Sequence, residues 1–299
     1  MRCQRTLKDE VLIRGVGLHT GRVINMRLKP APRDTGLLFI RTDRGNVQIR
    51  AGVEFVSDTT FATNLAFNGV KVGTVEHLLA TLAGLNIDNL YIELDGPEVP
   101  IMDGSAFYLT RKILENGMIA RQAKTVSCIR ILKPIVVSEG PSQIAVIPYE
   151  GTRITCSVNY NHPLFKGEQK FSLDITEASF IKEIAPARTF GFLKDVKMLR
   201  SRGLARGGSL NNAIVVGQNG VINKGELRFK NEFVRHKILD ILGDISLLGW
   251  PIYGHIISRR AGHSQNIKLL KKLHSFRDSW EIISDPPEAK SARELSVHI

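Results

Sequence analysis

NEFVRHKILDILGDISLLGW, residues 231–250, reads as one helix with two unlike faces. At about 100° per residue, Val234, Ile238, Ile241, Leu242, Ile245 and Leu248 make an apolar stripe of the kind that packs on a core. His236, Asp240 and Asp244 project on the other side, each one turn above the last, with Phe233, Leu239 and Leu247 nearby. A solvated face would carry Lys, Glu and Gln. An imidazole and two short carboxylates imply a face that is partly buried and holds something. His236 and Asp240, at i and i+4, can ligate one metal ion, because one helical turn brings the short Asp side chain to the imidazole. The same two residues can equally be a satisfied buried His–Asp pair, so the rest of the chain has to decide.

The 299-residue chain is 43% hydrophobic and 23% charged, with room for one large core or two domains of about 150 residues each. No apolar run reaches the ~18 residues that span a bilayer. The opening MRCQRTLKDEVLIRG has no apolar h-region, so no secretory signal is expected. Cys3, Cys128 and Cys156 are too widely spaced for a metal knuckle and odd in number for a disulfide framework, which points to a reducing cytoplasm. A net charge of +12 suits nucleic acid, an anionic membrane face or a phosphate-bearing substrate. Its densest stretch is 188–206. No zinc finger, aromatic RNA-binding signature or long basic tail accompanies it, so nucleic acid is not favoured.

Outward from the helix, the first half reads as strands and turns up to residue 55. A hairpin over 57–72 follows, turning at Asn68-Gly69. A helix over 75–83 has Thr74 as its expected N-cap and Gly84 as its stop. The strand NLYIEL, a Gly/Pro/Asp-rich loop at 95–106 and a helix over 106–116 complete this half. Residues 117–130 carry few signals and hold the expected domain boundary. Strands reopen the second half, a short helix covers EASFIKEIA, and 186–209 is basic and Gly-rich. A strand over 213–216 and a hairpin over 221–229 lead into the opening helix. Beyond it come a strand, a turn ending at His263, a helix over 267–275 and a frayed tail after Asp285. Strands precede helices in both halves, which argues for an α+β class.

Three features could join the His–Asp face. Glu76 and His77 are neighbours at a helix start, where one could act as a base and the other as a ligand. They could also be a dipole-favoured Glu and a surface His. His263 is either a general acid or a solvated loop residue, and Asp244 either orients an imidazole or pairs with a lysine. Thr189 is either an oxyanion donor or a strand-end hydroxyl. Asp95, Glu98 and Asp103 suit turn and capping roles better than a metal. The Gly pair at 207–208 and the GxG at 15–17 match no phosphate loop.

Together, GVGLHTG (15–21), TVEHLLATLAGLNIDNLYIEL (74–94), GPEVPIMDGSA (96–106), ARTFGF (187–192), FVRHKILDILGD (233–244) and GH (262–263) resemble the UDP-3-O-acyl-N-acetylglucosamine deacetylases. These are zinc amidases of lipid A biosynthesis in Gram-negative bacteria. The likeness runs in order from about residue 4 to 275. It implies Glu76 as general base, His77, His236 and Asp240 as Zn2+ ligands, and His263 as second catalytic group with Asp244 orienting it. Thr189 would hold the oxyanion. Lys237 and Arg260 would meet the nucleotide-sugar and its diphosphate, and Tyr160 the uracil. The implied fold has two similar α+β domains, 1–123 and 124–299, with helices sandwiched between sheets and the site at their junction. One insert falls near 57–72. The other, near 190–215, would form the acyl passage with Phe190, Leu193, Val196 and Ala213. TTFATN (59–64) and 193–206 lie where family members vary. No added dehydratase domain is expected before the end at Ile299.

The expected partner is therefore a small amphiphilic nucleotide-sugar, met by a cytoplasmic monomer with no transmembrane segment and with scope for peripheral contact with the inner membrane. The competing reading is a basic RNA- or membrane-surface-binding protein whose His/Asp cluster is purely structural. That reading requires a steep salt dependence of nucleic-acid binding.

Overall fold

The computed structural model describes residues 2–284; the tail expected after Asp285 lies outside the described residues. The first half opens with β1 (Cys3–Leu7), β2 (Val11–Val16), β3 (Val23–Pro30), β4 (Leu37–Arg41) and β5 (Val47–Arg50). Three short strands follow: β6 (Val56–Asp58), β7 (Asn64–Phe67) and β8 (Val70–Val72). Then come α1 (Glu76–Gly84), β9 (Leu90–Leu94), α2 (Phe107–Lys112) and β10 (Ile119–Thr125). A five-stranded sheet has the order β2-β3-β9-β4-β5, in which β4 and β9 run parallel. The expected hairpin over 57–72 is a three-stranded meander, β6-β7-β8. Its second turn holds Asn68 and Gly69 at φ 48° and 76°, the left-handed pair that a tight hairpin needs.

The second half contains β11 (Cys128–Ile131), β12 (Ile135–Glu139), β13 (Ser142–Ile147), β14 (Thr152–Val158) and β15 (Gln169–Asp174). Next are α3 (Glu177–Ser179), β16 (Phe190–Phe192), α4 (Leu193–Ser201) and β17 (Ile214–Val216). The last elements are α5 (Glu232–Ser246), β18 (Ile252–Arg259), α6 (His263–Ser275) and β19 (Trp280–Ile283). Strand β18 is the hub of a seven-stranded sheet. It runs parallel to β14 on one edge; on the other it pairs with β11 and then, antiparallel, with β13. The expected strand and basic stretch within 186–216 form a β-α-β unit, with β16 and β17 parallel and α4 between them. The expected hairpin over 221–229 is absent: Val221 makes only an isolated bridge to Val216, and turns follow.

The mixed architecture is the α+β class expected from the order of elements. One continuous core links the five-stranded sheet (Met26, Phe39, Ile92), α1 (Leu78, Leu82), α5 (Ile238, Leu239) and the seven-stranded sheet (Ile144, Ile154, Ile256). The helices thus lie between the sheets. In α5 every residue except Arg235, Lys237 and Ser246 is buried, including the His/Asp face. The helix stops at Ser246, short of Trp250, because Gly249 adopts φ +82° and Pro251 follows. No described helix is long and apolar enough to cross a membrane.

Two glycine contacts set how the halves meet. A Cβ on Gly243 of α5 would stand 2.1 Å from the Glu76 carbonyl oxygen of α1, so the helices touch backbone to backbone there. A Cβ on Gly207 would stand 2.3 Å from the Gly17 carbonyl oxygen, so one glycine of the pair at 207–208 and one of the GxG at 15–17 are close-approach positions against each other. Gly207 N–H also donates to the Leu18 carbonyl at 3.0 Å. Gly243→Ala is expected to cost about 3 kcal/mol, at the upper end for overpacking, because α1 and α5 must separate. Gly220→Ala, where an added Cβ meets nothing within 4 Å, should leave the urea midpoint unchanged. Equilibrium denaturation of the two variants checks this.

Candidate active site

Glu76 and His77 open α1 directly after a strained turn. Thr74 is held at φ +55°, a conformation that costs a β-branched residue free energy. It is not the N-cap that its position predicts: Val75 precedes the helix, and the Thr74 hydroxyl donates to Glu98 Oε1 at 2.8 Å. Glu98 also accepts from the His19 and Thr20 backbone N–H groups, at 2.8 Å each, and from Thr20 Oγ1 at 2.7 Å. This buried carboxylate therefore ties the LHTG turn to the entrance of α1. Asp95 accepts from Asn25, and Asp103 from Ser105 and Arg228, so the acidic cluster at 95–103 organises turns.

On α5, His236 Nδ1 lies 3.0 Å from the Ala187 carbonyl oxygen and must donate to it. That fixes the tautomer and leaves Nε2 bare. Nε2 stands 3.3 Å from Asp240 Oδ1, and His77 Nε2 stands 3.7 Å from the same oxygen. The two imidazoles are 4.9 Å apart and nearly perpendicular. Ligands at the usual 2.0–2.1 Å around a tetrahedral ion are separated by roughly 3.3–3.4 Å, so this donor set fits a metal ion of that kind. The Ala187 carbonyl is itself anchored. Fully buried Glu232, at the start of α5, accepts from Arg188 N (3.0 Å), Arg188 Nε (2.8 Å) and Arg228 N (2.7 Å).

Burial, then the neighbouring His236, pushes the His77 imidazole down to about 3; burial also lowers His236. Both are neutral donors at neutral pH, as ligation requires. Burial alone would raise the Asp240 carboxyl, but Lys237, His236 and His263 outweigh it and hold Asp240 well below the ordinary carboxylate range. Lys237 Nζ donates to Asp240 Oδ2 at 2.6 Å. Burial works against the charged lysine, yet Asp240 outweighs it and holds Lys237 above its ordinary value. Glu76 is pushed up to about 7, mainly by burial, with His263 opposing and Asp244 and Asp240 adding to the rise. A carboxylate at that value suits proton exchange near neutrality.

His263 is not on a turn before the last helix. It is the first residue of α6, which starts four residues earlier than the sequence pattern suggests, behind Gly262 N–H donating to Gln265 Oε1 at 3.0 Å. His263 Nδ1 is 2.7 Å from Asp244 Oδ2. Asp244, fully buried, also accepts from Asn266 Nδ2 at 2.8 Å and from Thr63 Oγ1 at 2.6 Å. The Thr63 N–H donates to Glu76 Oε2 at 3.0 Å.

A cavity of about 220 Å³ collects these groups. Glu76, His77, His236, Lys237, Asp240 and His263 line it, together with Thr189, Tyr160, Phe190, Leu18, Phe61 and Thr74. Thr189 is held there by its N–H donating to the Gly104 carbonyl at 2.7 Å. Tyr160 sits in an aromatic cluster with Phe165, Phe190 and Phe192, at ring separations of 4.9, 5.6 and 5.5 Å. Arg260, Leu193, Val196 and Ala213 are not among the residues lining the cavity. Arg260 is exposed at the end of β18, and Leu193 is 51% exposed at the start of α4. Leu18, Phe61, Thr63, Thr74 and Gly243 were missed as site residues. Leu18, Thr74 and Gly243 lie inside the GVGLHTG, TVEH and FVRHKILDILGD motifs, and Phe61 and Thr63 inside TTFATN, but nothing in their residue types marks them for the site. A larger cleft of about 660 Å³, lined by Arg2, Leu242, Ile245 and Trp250 among others, contains none of the clustered titratable groups. The site is located by those groups, not by volume.

Two imidazoles and a carboxylate around one point, beside a buried carboxyl and a His–Asp pair, have the layout of a metal-dependent hydrolase centre. The family model described as UDP-3-O-acyl N-acetylglycosamine deacetylase (LpxC) matches residues 4–275. A Thermodesulfovibrio yellowstonii protein is 53% identical over 270 residues, 90% of this chain and 91% of its own length. Relatives from Myxococcus xanthus and Marinobacter nauticus are 49% and 45% identical, over 94% and 96% of this chain and 89% and 94% of their own. All three are named UDP-3-O-acyl-N-acetylglucosamine deacetylase. This chain belongs to that deacetylase family.

Asp244 controls how His263 titrates. Burial alone would lower the imidazole, but Asp244 outweighs it, and His263 is pushed up to about 9 from its ordinary 6.5. A histidine raised in the folded state stabilises the fold fully below its unfolded value, and that contribution disappears as the pH rises through the folded one. Asp244→Asn is expected to lower the His263 midpoint by about one pH unit or more. It should also flatten the loss of stability between about pH 6.5 and 9. Histidine NMR titration and denaturation across that range check both.

Proposed function

We propose that this chain hydrolyses the acetamide of UDP-3-O-acyl-N-acetylglucosamine to give UDP-3-O-acyl-glucosamine and acetate, in the biosynthesis of lipid A, with Zn2+ as its metal. The observation that carries this reading is the meeting of His77 from α1 with His236 and Asp240 from α5, their donor atoms all within 4.8 Å, beside Glu76. Family membership supplies the substrate class. Zinc held by those three residues would supply Lewis-acid polarisation of the amide carbonyl and acidify water.

The chain's own groups do the rest. Glu76 takes the proton of the attacking water; its raised pKa keeps it a good proton acceptor and, once protonated, a competent donor. Thr189 faces the same cavity and is placed to hydrogen-bond the oxygen on which charge develops. His263, with Nδ1 committed to Asp244, presents Nε2 to the cavity. There its positive charge stabilises the transition state and a proton is available for the leaving amine. Lys237 offers a partly buried cation to the nucleotide-sugar part, and the cluster around Tyr160 and Phe190 offers aromatic and apolar surface to the rest. Arg260, on the exposed end of β18, is proposed to meet the diphosphate outside the cavity, and Leu193, Val196 and Ala213 to line the outer part of the acyl passage.

Two domains divide this labour, one carrying Glu76 and His77 and the other His236, Asp240 and His263. The proposed division at 123/124 lies in the last residues of β10, which ends at Thr125. The setting we infer is the cytoplasm, with the chain acting as a monomer on a small amphiphile. A purely binding protein gives no reason for burying Glu76 beside three ligand-like groups.

Protein stripped of metal should release no acetate from the UDP-linked substrate, and one equivalent of zinc should restore turnover. Folded, zinc-loaded protein without turnover would sink the proposed substrate. Glu76→Ala is expected to lower kcat by about 10²–10⁴-fold, the usual share of a positioned acid–base group. Metal content measured by mass spectrometry should stay at the wild-type level.

A further inference from the structure

Thr63 immediately precedes β7, is fully buried, and touches both proton-handling groups of the cavity. Its single hydroxyl proton goes to Asp244 Oδ1, at 2.6 Å. His263 and Asn266 both donate to Oδ2 of that carboxylate, so among the described residues Thr63 is the hydrogen-bond donor for Oδ1. The same hydroxyl oxygen stands 3.2 Å from His263 Nδ1. With its proton spent on Asp244, it can meet Nδ1 only as an acceptor. Asp244 Oδ2 and Thr63 Oγ1 thus both face the Nδ1 proton, and the imidazole is fixed in tautomer and in plane by two acceptors. The backbone of the same residue reaches Glu76: Thr63 N–H donates to Glu76 Oε2 at 3.0 Å, and the Thr63 carbonyl accepts from Val75 N–H at 3.2 Å.

We propose that Thr63 is a positioning residue for the deacetylation, its hydroxyl setting the orientation of His263 through Asp244 and its backbone setting the carboxyl of Glu76. This role rests on the functional reading above for the reaction, but not for the geometry. It gives the β6-β7-β8 meander a task at the site: the insert carries one residue that references the acid–base groups of both halves to each other. The hydroxyl is the part that can be removed without disturbing the backbone bonds. Valine has nearly the same shape and leaves Asp244 Oδ1 without a donor, while serine keeps the hydroxyl and drops the methyl.

The test compares acetate release by Thr63→Val, Thr63→Ser, His263→Ala and the double variant T63V/H263A, each checked for zinc content and thermal unfolding. T63V should lose about tenfold or more in kcat, as a misplaced acid–base group does, with KM within about twofold of wild type. T63S should recover most of that loss. In the His263→Ala background, Thr63→Val should change kcat by less than about twofold, because the group it positions is gone. Wild-type kcat in T63V, or the same fold-loss in both backgrounds, would overturn the proposal. Thr63→Ala serves the same comparison if valine does not fold. A reading without substrate is the imidazole 15N–1H spectrum: the His263 Nδ1–H signal should move in T63V and return in T63S, and an unmoved signal overturns the role. Wild-type protein that releases no acetate would remove the proposed substrate while the spectrum still decides on Thr63.

Discussion

Everything at the site depends on how closely α1 and α5 approach at one point, where Gly243 meets the Glu76 carbonyl. Side chains as short as Asp and His reach only a few ångströms from their helix axes. His77 on one helix and His236 and Asp240 on the other therefore converge only if the backbones themselves come into contact. A residue with any side chain at position 243 would hold the helices apart, and His77 would no longer share a point with His236 and Asp240. Both helices are buried between sheets, so the sheets' packing supplies the force that keeps this contact closed.

The same burial sets the chemistry. Removing water drives the His77 and His236 imidazoles neutral and pushes the Glu76 carboxyl up towards neutrality. It would do the same to Asp240 were it not for Lys237, three residues earlier on the same helix and directly hydrogen-bonded to it. Asp244 meets three hydrogen-bonding partners, Thr63, His263 and Asn266, and keeps a positive His263 beside Glu76. Glu76 and Asp240, and likewise the His77 and His236 imidazoles and His263, are thus driven apart in protonation within one cavity, which is what a proton-transferring site needs.

The supporting layer is built from residues with no reactive chemistry of their own. Glu232 locks Arg188, which places the Ala187 carbonyl behind His236 and Thr189 on the cavity wall. Glu98 holds the strained Thr74 turn that delivers Glu76 and His77 at the first turn of α1. Gly207 against Gly17 draws the β16-α4-β17 unit onto the LHTG turn, bringing Leu18 and Phe190 to the same cavity. The Gly207–Gly17 contact crosses between the halves, while the other two each commit a buried carboxylate to holding position within one half.

Periodicity alone made α5 legible, with its His236–Asp240 spacing, because the 3.6-residue repeat is a local property of the chain. The ordered motifs, TVEH, ARTF and GH among them, carried the family and the α+β class. Local rules failed where a distant partner outbid them. Thr74 serves Glu98 instead of capping α1, α6 begins at His263 through the Gly262–Gln265 contact, and 221–229 forgoes its hairpin. The tertiary structure alone decided that Thr63 should meet Asp244, 181 residues away, and that Gly243 should face Glu76. No spacing in the sequence encodes such a contact: it arises from how the two packed halves fit, and a buried hydroxyl or a missing Cβ has no signature until its neighbour is in place.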